Sequence, residues 1–252
     1  MSTRFATLVS SRLPFMRALM GVAAALGLLC ANSVFAAGTG LLNDTGQTLC
    51  DNGSNVMATC TVSNTGDAAT YKRQDGRFGR DPAGPAKVGG GVAGFDFTKI
   101  CFNGDLQGAG TCTGTLVANT TDTATGTPTT DWACTKDNVT NLIWSLQSGI
   151  GNWTTYASTT LPNTTNTANR CGFGTGWRLP TRRELLSIVL RDGSNPSVDA
   201  NYFPSTQTDF YWATDVYVPG PSNAWVVYFG GGDTSARGKT GAFFVRLVRS
   251  GQ

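Results

Sequence analysis

The chain of 252 residues contains no histidine. That absence removes the side chain that most often serves as a general base near neutral pH. It also removes the commonest metal ligand. Glutamate is almost missing as well: Glu184 is the single one among 16 acidic residues. No C-x-x-C pair occurs among the seven cysteines, so zinc has no ligand set here. The aspartates are scattered at Asn- and Gly-rich turns, where their side chains cap local backbone. Ser–Lys and two-carboxylate schemes stay open in principle, but no assembled acid–base set is visible, so the expectation is a protein that is not an enzyme.

Long apolar runs are lacking too. The longest, Ala18–Leu29, is too short to span a bilayer comfortably. Preceded by Arg4, Arg12 and Arg17 and followed by Val34-Phe35-Ala36, it reads as a bacterial-type secretory leader covering residues 1–36. Leu29 before Cys30 does not suit a lipoprotein signal. The expected product is exported, to the periplasm, outer surface or outside the cell, and has no integral membrane span. The formal charge of +3 comes from the leader, which holds three of the 19 basic residues and no acidic ones. The remaining 16 basic and 16 acidic residues cancel. The simplest argument for a nucleic-acid partner is thereby lost.

Six cysteines remain beyond the leader, an even number that suits three disulfides in an exported chain. Six cysteines allow 15 pairings. Spacing favours Cys50–Cys60 and Cys101–Cys112 as short-loop bridges, which leaves Cys134–Cys171. Residues 37–252 then read as a single domain with an N-terminal disulfide hairpin. A Thr- and Ala-rich stretch near 113–130 has the composition of a flexible insert. The run RQDGRFGRD offers Asp75 and Asp81 to a calcium ion, but lacks the EF-hand pattern and reads better as a solvated turn. No cofactor is expected. The glycine-rich KVGGGVAG precedes a strand rather than a helix, so it reads as a loop and not a phosphate cradle.

The clearest helix signal after the leader is GWRLPTRRELLSIVL. Thr181 and Glu184 form a capping box. Pro180 stands just before the cap, and Leu185, Leu186, Ile188, Val189 and Leu190 supply an apolar face, which predicts a helix over about Thr181–Leu190. A second, weaker helix is read at Leu161–Arg170. TDWACTKDNVTNLIWSL reads as a strand around a turn at Asp137-Asn138, after which Leu142, Ile143, Trp144 and Leu146 supply core groups. Asp209–Val216, Ala224–Phe229 and Ala242–Arg249 read as an antiparallel meander, with a loop at Gly230–Gly241. Few helices and many short strands make the fold class α+β.

The order TGQT, WACTKDNVTNLIW, CGFGTGWRLPTRREL, NYFP, YWATD, AWVVYF, FVRLVR, running from about Thr45 to Arg249 and strongest from Trp132 onward, resembles the Lcl C-terminal-domain family, named after a collagen-like bacterial adhesin. The resemblance implies a C-type lectin-like domain, similar in fold to formylglycine-generating enzymes: a twisted antiparallel sheet with long disulfide-bound loops. It also implies that the N-terminal segment pairs with Ala242–Arg249. The sequence departs from relatives of that fold in having no collagen repeat, no E-P-N or W-N-D calcium triplet and no cysteine beyond Cys171. The family's association with glycosaminoglycans implies an acidic polysaccharide as ligand, with a surface protein as the other candidate partner. Arg237 and Lys239 in the Gly230–Gly241 loop are the candidate cations. Tyr211, Trp212 and Trp225, with Tyr228, are candidates for a sugar-stacking platform, against the plainer reading that alternating strand aromatics are core. A structural head or decoration of a surface or pilus-like assembly is the alternative function, and a formylglycine-generating-enzyme-like enzyme the more distant one.

Overall fold

A computed structural model describes residues 87–121 and 126–251, together with 45, 47, 49–51 and 57–59. Two short strands, β1 (Leu49–Asp51) and β2 (Met57–Thr59), pair antiparallel as a separate hairpin. Eight strands make the main sheet: β3 (Phe97–Cys101), β4 (Val117–Ala118), β5 (Asp131–Asp137), β6 (Leu142–Gly151), β7 (Phe210–Val216), β8 (Asn223–Tyr228), β9 (Asp233–Gly238) and β10 (Phe243–Ser250). Their order is β3-β5-β6-β10-β7-β8-β9, with β4 alongside β5. A π-helical segment (Trp153–Thr160) runs into α1 (Leu161–Thr167), and α2 spans Arg182–Leu186. The molecule is α+β and sheet-rich. No helix among the described residues is long and apolar enough to cross a membrane.

Local chemistry sets these elements. The β5–β6 hairpin turns where the buried Asp137 carboxylate accepts from Val139 N (2.9 Å) and Thr140 N (3.2 Å). The glycine-rich loop is pinned by Asp96, whose carboxylate accepts from Val88 N and Gly89 N, and by Asp199, which accepts from Val92 N. The stretch read as a flexible insert contributes β4, tied by Val117 N to Thr130 O and Asn119 N to Trp132 O. Cys101–Cys112 and Cys134–Cys171 are both formed. Cys50 is disulfide-bonded, but its expected partner Cys60 lies outside the described residues, as do Asp75 and Asp81.

Three expectations need correction. The last strand does not pair with the N-terminal segment: β10 has β6 on one side, antiparallel, and β7 on the other, parallel, so both of its edges are taken. The C-terminal strands are thus not a simple meander. Second, the Gly230–Gly241 loop holds β9, hydrogen-bonded to β8 through six paired residues. Third, the main helix is shorter than Thr181–Leu190. It ends at Leu186 because Ser187 turns its hydroxyl back onto Glu184 O (2.7 Å), and Leu190 N then bonds Ser197 O. The weaker helix read at Leu161–Arg170 is present as α1, with Pro162 in its first turn, where a missing N–H costs nothing.

Both faces of the sheet are buried. On one, α2 and the chain after it pack Leu185, Val189 and Phe203 against Trp144, Tyr211 and Val248. On the other, Ala157, Leu161 and Trp177 pack against Trp212, Val226 and Leu247, beside Cys134–Cys171. Strands covered on both sides carry continuous apolar runs, which explains why AFFVRLVR does not alternate cleanly. Arg246 in this run is fully buried, and no carboxylate bonds it among the described residues. Its Nη2 donates to Thr206 Oγ1 (2.9 Å), and its guanidinium lies 5.2 Å from the Phe203 ring centre and 5.9 Å from that of Tyr211. Burial pushes its pKa down, partly offset by the Tyr211 phenol.

Candidate functional site

Two cations meet aromatic rings on the face of the sheet that carries Trp153. Arg237 leaves the edge strand β9 and leans back along it: Nη1 donates to Ser235 Oγ (2.8 Å) and to Ala236 O (3.3 Å). This sets the guanidinium 4.4 Å from the Phe210 ring centre on β7. Lys239, just past β9, has Nζ 4.4 Å from the Trp153 ring. Trp153 is fixed at both ends, its backbone N–H donating to Lys239 O (3.0 Å) and its indole N–H to Ala213 O (2.7 Å). Phe210 also meets Tyr228 at 5.0 Å and Phe243 edge-on at 5.8 Å. A Cβ at Gly230 would stand 2.4 Å from the Tyr228 ring, so a larger residue there would push the ring aside. Phe243, Phe210 and Tyr228 thus form a half-exposed aromatic strip that carries Arg237, and the half-exposed Trp153, packed on the same core, carries Lys239. Such a strip can stack the C–H face of a sugar ring and meet sulfate or carboxylate groups with the guanidinium and ammonium.

The structure rearranges the expected platform. Tyr211 and Trp212 are fully buried and cannot meet a ligand. Tyr211 stacks against Phe244 at 5.4 Å, and Trp212 donates its indole N–H to Gly151 O (3.0 Å). Trp225 is half-exposed but sits on the opposite face, because it pairs with Ala236 while the neighbouring Ala224 pairs with Arg237. There it packs between Arg182, 4.2 Å above its ring, and Tyr217, 5.3 Å away edge-on. Phe210, Phe243 and Trp153 take the places assigned to Tyr211, Trp212 and Trp225. Alternation in DFYW was visible, but which of its aromatics faces Arg237 depends on the β7–β8–β9 register.

The capping box is complete. Thr181 Oγ1 accepts from Glu184 N (3.1 Å), and the Glu184 carboxylate accepts from Thr181 N (2.7 Å). The same carboxylate is held two-pronged by Arg178, at 2.8 and 2.6 Å. Burial pushes the Glu184 pKa up, but Arg178, the Thr181 N–H and the Thr181 hydroxyl outweigh it, and the net shift is downward. A carboxylate held so firmly in its charged form is a poor proton acceptor at neutral pH. Beside it opens a cleft of about 490 Å³, lined by Ser158, Asn163, Asn166, Arg178, Thr181 and Thr214 among others. Its one cation is already neutralised by Glu184, and Asn166 is occupied with Trp177 N (3.0 Å). Among the described residues no three His, Cys, Asp or Glu side chains group to hold a metal.

Residues 133–249 match the model of a family described as the Lcl C-terminal domain. These residues run from within β5 to within β10 and include both helices and all of the aromatic strip. No curated protein matches the chain.

Proposed function

Since residues 133–249 belong to the Lcl C-terminal domain family, we propose that the chain is an exported, non-catalytic binding module on a lectin-like scaffold, and that its ligand is an acidic polysaccharide. The observation that carries this reading is the pair of cations, Arg237 and Lys239, each 4.4 Å over an aromatic ring on one sheet face. A cation resting on a ring keeps its outward N–H groups free for an anion, while the neighbouring rings offer apolar surface for the sugar itself. The plainer reading, two surface cations packed for solubility, predicts no ligand at all.

Chromatography of the oxidised protein on immobilised heparin separates the two. Salt-dependent retention, lowered in an Arg237→Ala/Lys239→Ala variant of unchanged fold, supports the polysaccharide reading. Absence of retention at low salt refutes it. A structural head in a surface assembly is the second reading, favoured by one observation: β9 ends the sheet with its outer side unpaired among the described residues.

A further inference from the structure

The outer edge of β9, unpaired among the described residues, is self-complementary in charge. β9 bonds β8 on one side, and no described strand pairs with its other side. An edge strand leaves alternate N–H and C=O groups open to another chain, and is commonly closed off by proline, lysine, a bulge or a covering loop. β9 reads DTSARG, has no proline or lysine, and keeps an unshifted register with β8 over all six residues. The opposite end of the sheet differs. There the free side of β3 is partly taken by bridges from Gly90 to Phe97 and from Leu106 to Ile100.

Asp233 and Arg237 lie four residues apart, hence on the same face, with Ser235 midway. Asp233 is exposed, and no ion pair is seen for it among the described residues. The bonds seen for the Arg237 guanidinium run to Ser235 Oγ and Ala236 O, so it holds no carboxylate there.

We propose that two copies of this chain pair through β9, antiparallel, about a two-fold axis at Ser235. In that register Asp233 of each copy faces Arg237 of the other, Thr234 faces Ala236, and the two Ser235 residues face each other. Opposite charges directly across a ladder stabilise it, and like charges oppose it. In-register parallel pairing sets Asp233 on Asp233 and Arg237 on Arg237, so the same two residues disfavour it. A slip by one residue breaks both charge pairs and turns each side chain to the wrong face. The contact is isologous and closes at two copies rather than growing into a fibre. On pairing, the Arg237 guanidinium leaves Phe210 for the carboxylate opposite. Six residues bury far less than the roughly 1,200 Å² of a standard stable interface, so the pair is weak and concentration-dependent. This inference stands on the geometry of β9 and holds whether or not the aromatic strip takes polysaccharide.

Sedimentation equilibrium of the full oxidised chain over a wide concentration range, at low salt, tests it. The expected result is a monomer–dimer equilibrium. Asp233→Arg and Arg237→Asp each weaken the dimer at least tenfold, and the double swap Asp233→Arg/Arg237→Asp restores it. A monomer at every concentration overturns the proposal. So does a dimer indifferent to either single substitution, or one that the double swap fails to rescue. Lys239→Ala, outside β9, lowers heparin retention under the polysaccharide reading and leaves the dimer constant unchanged, so the two ideas fail separately.

Discussion

Glu184 joins a helix cap to an ion pair. It closes the cap of α2 and grips Arg178, which bridges to Val248 through its backbone. Thr181→Ala removes the acceptor for Glu184 N and is expected to cost about 1 kcal/mol in chemical denaturation. Glu184→Gln leaves Arg178 without its counter-charge in a half-buried site and is expected to cost about 1–2 kcal/mol, after allowing for solvent screening. The pH dependence has a definite sign. Although burial opposes it, the folded pKa of Glu184 lies below its unfolded value. The resulting stabilisation is therefore fully present above the ordinary glutamate value and is lost as pH falls through the folded pKa. Thermal unfolding of the wild type should lose stability on acidification through that range, and Glu184→Gln should lose less. Arg246 makes a contrasting case. A buried cation that no carboxylate bonds contributes little net stability, so Arg246→Met should match or exceed the wild type by about 1–2 kcal/mol. Thr206→Val, which removes one acceptor from the guanidinium, should cost about 1–3 kcal/mol.

Among the elements, those coded locally were the readable ones. T-x-x-E marked the start of α2, Asp137-Asn138 marked the β5–β6 turn, and close spacing paired Cys101 with Cys112. Elements whose existence depends on distant partners were not. DTSARG has no apolar alternation and becomes a strand only because β8 offers an edge. The insertion of β10 between β6 and β7 follows from packing of two cores, which no local pattern records. The helical spacing runs past the end of α2 because Ile188, Val189 and Leu190 enter the core from a turn. The long disulfide makes an element-scale prediction. Cys134–Cys171 ties β5 to the turn after α1 across 37 residues. Loop entropy assigns it about 4 kcal/mol, against about 3 kcal/mol for the 11-residue Cys101–Cys112 span. Double Cys→Ala variants of each pair, compared by denaturant midpoint, should fall in that order.

Across the whole molecule, the sheet is covered on both faces near its middle, and half-exposed rings gather towards its β9 end. There the strip of Phe243, Phe210 and Tyr228 meets Arg237, and Trp153 meets Lys239. The two cations were visible in the sequence, but the rings beneath them were not, since register alone decides that Phe210 rather than Tyr211 faces outward. The faces also supply an internal control, because Trp153 and Trp225 lie on opposite sides of the sheet. The most direct measurement is a titration of ¹⁵N-labelled protein with a heparin-derived oligosaccharide, following the two indole N–H signals. A binding strip at Arg237 and Lys239 predicts a saturable shift of the Trp153 indole, lost in Arg237→Ala/Lys239→Ala, while the Trp225 indole stays fixed. Movement of Trp225 with Trp153 unchanged, or no saturable shift of either, contradicts it.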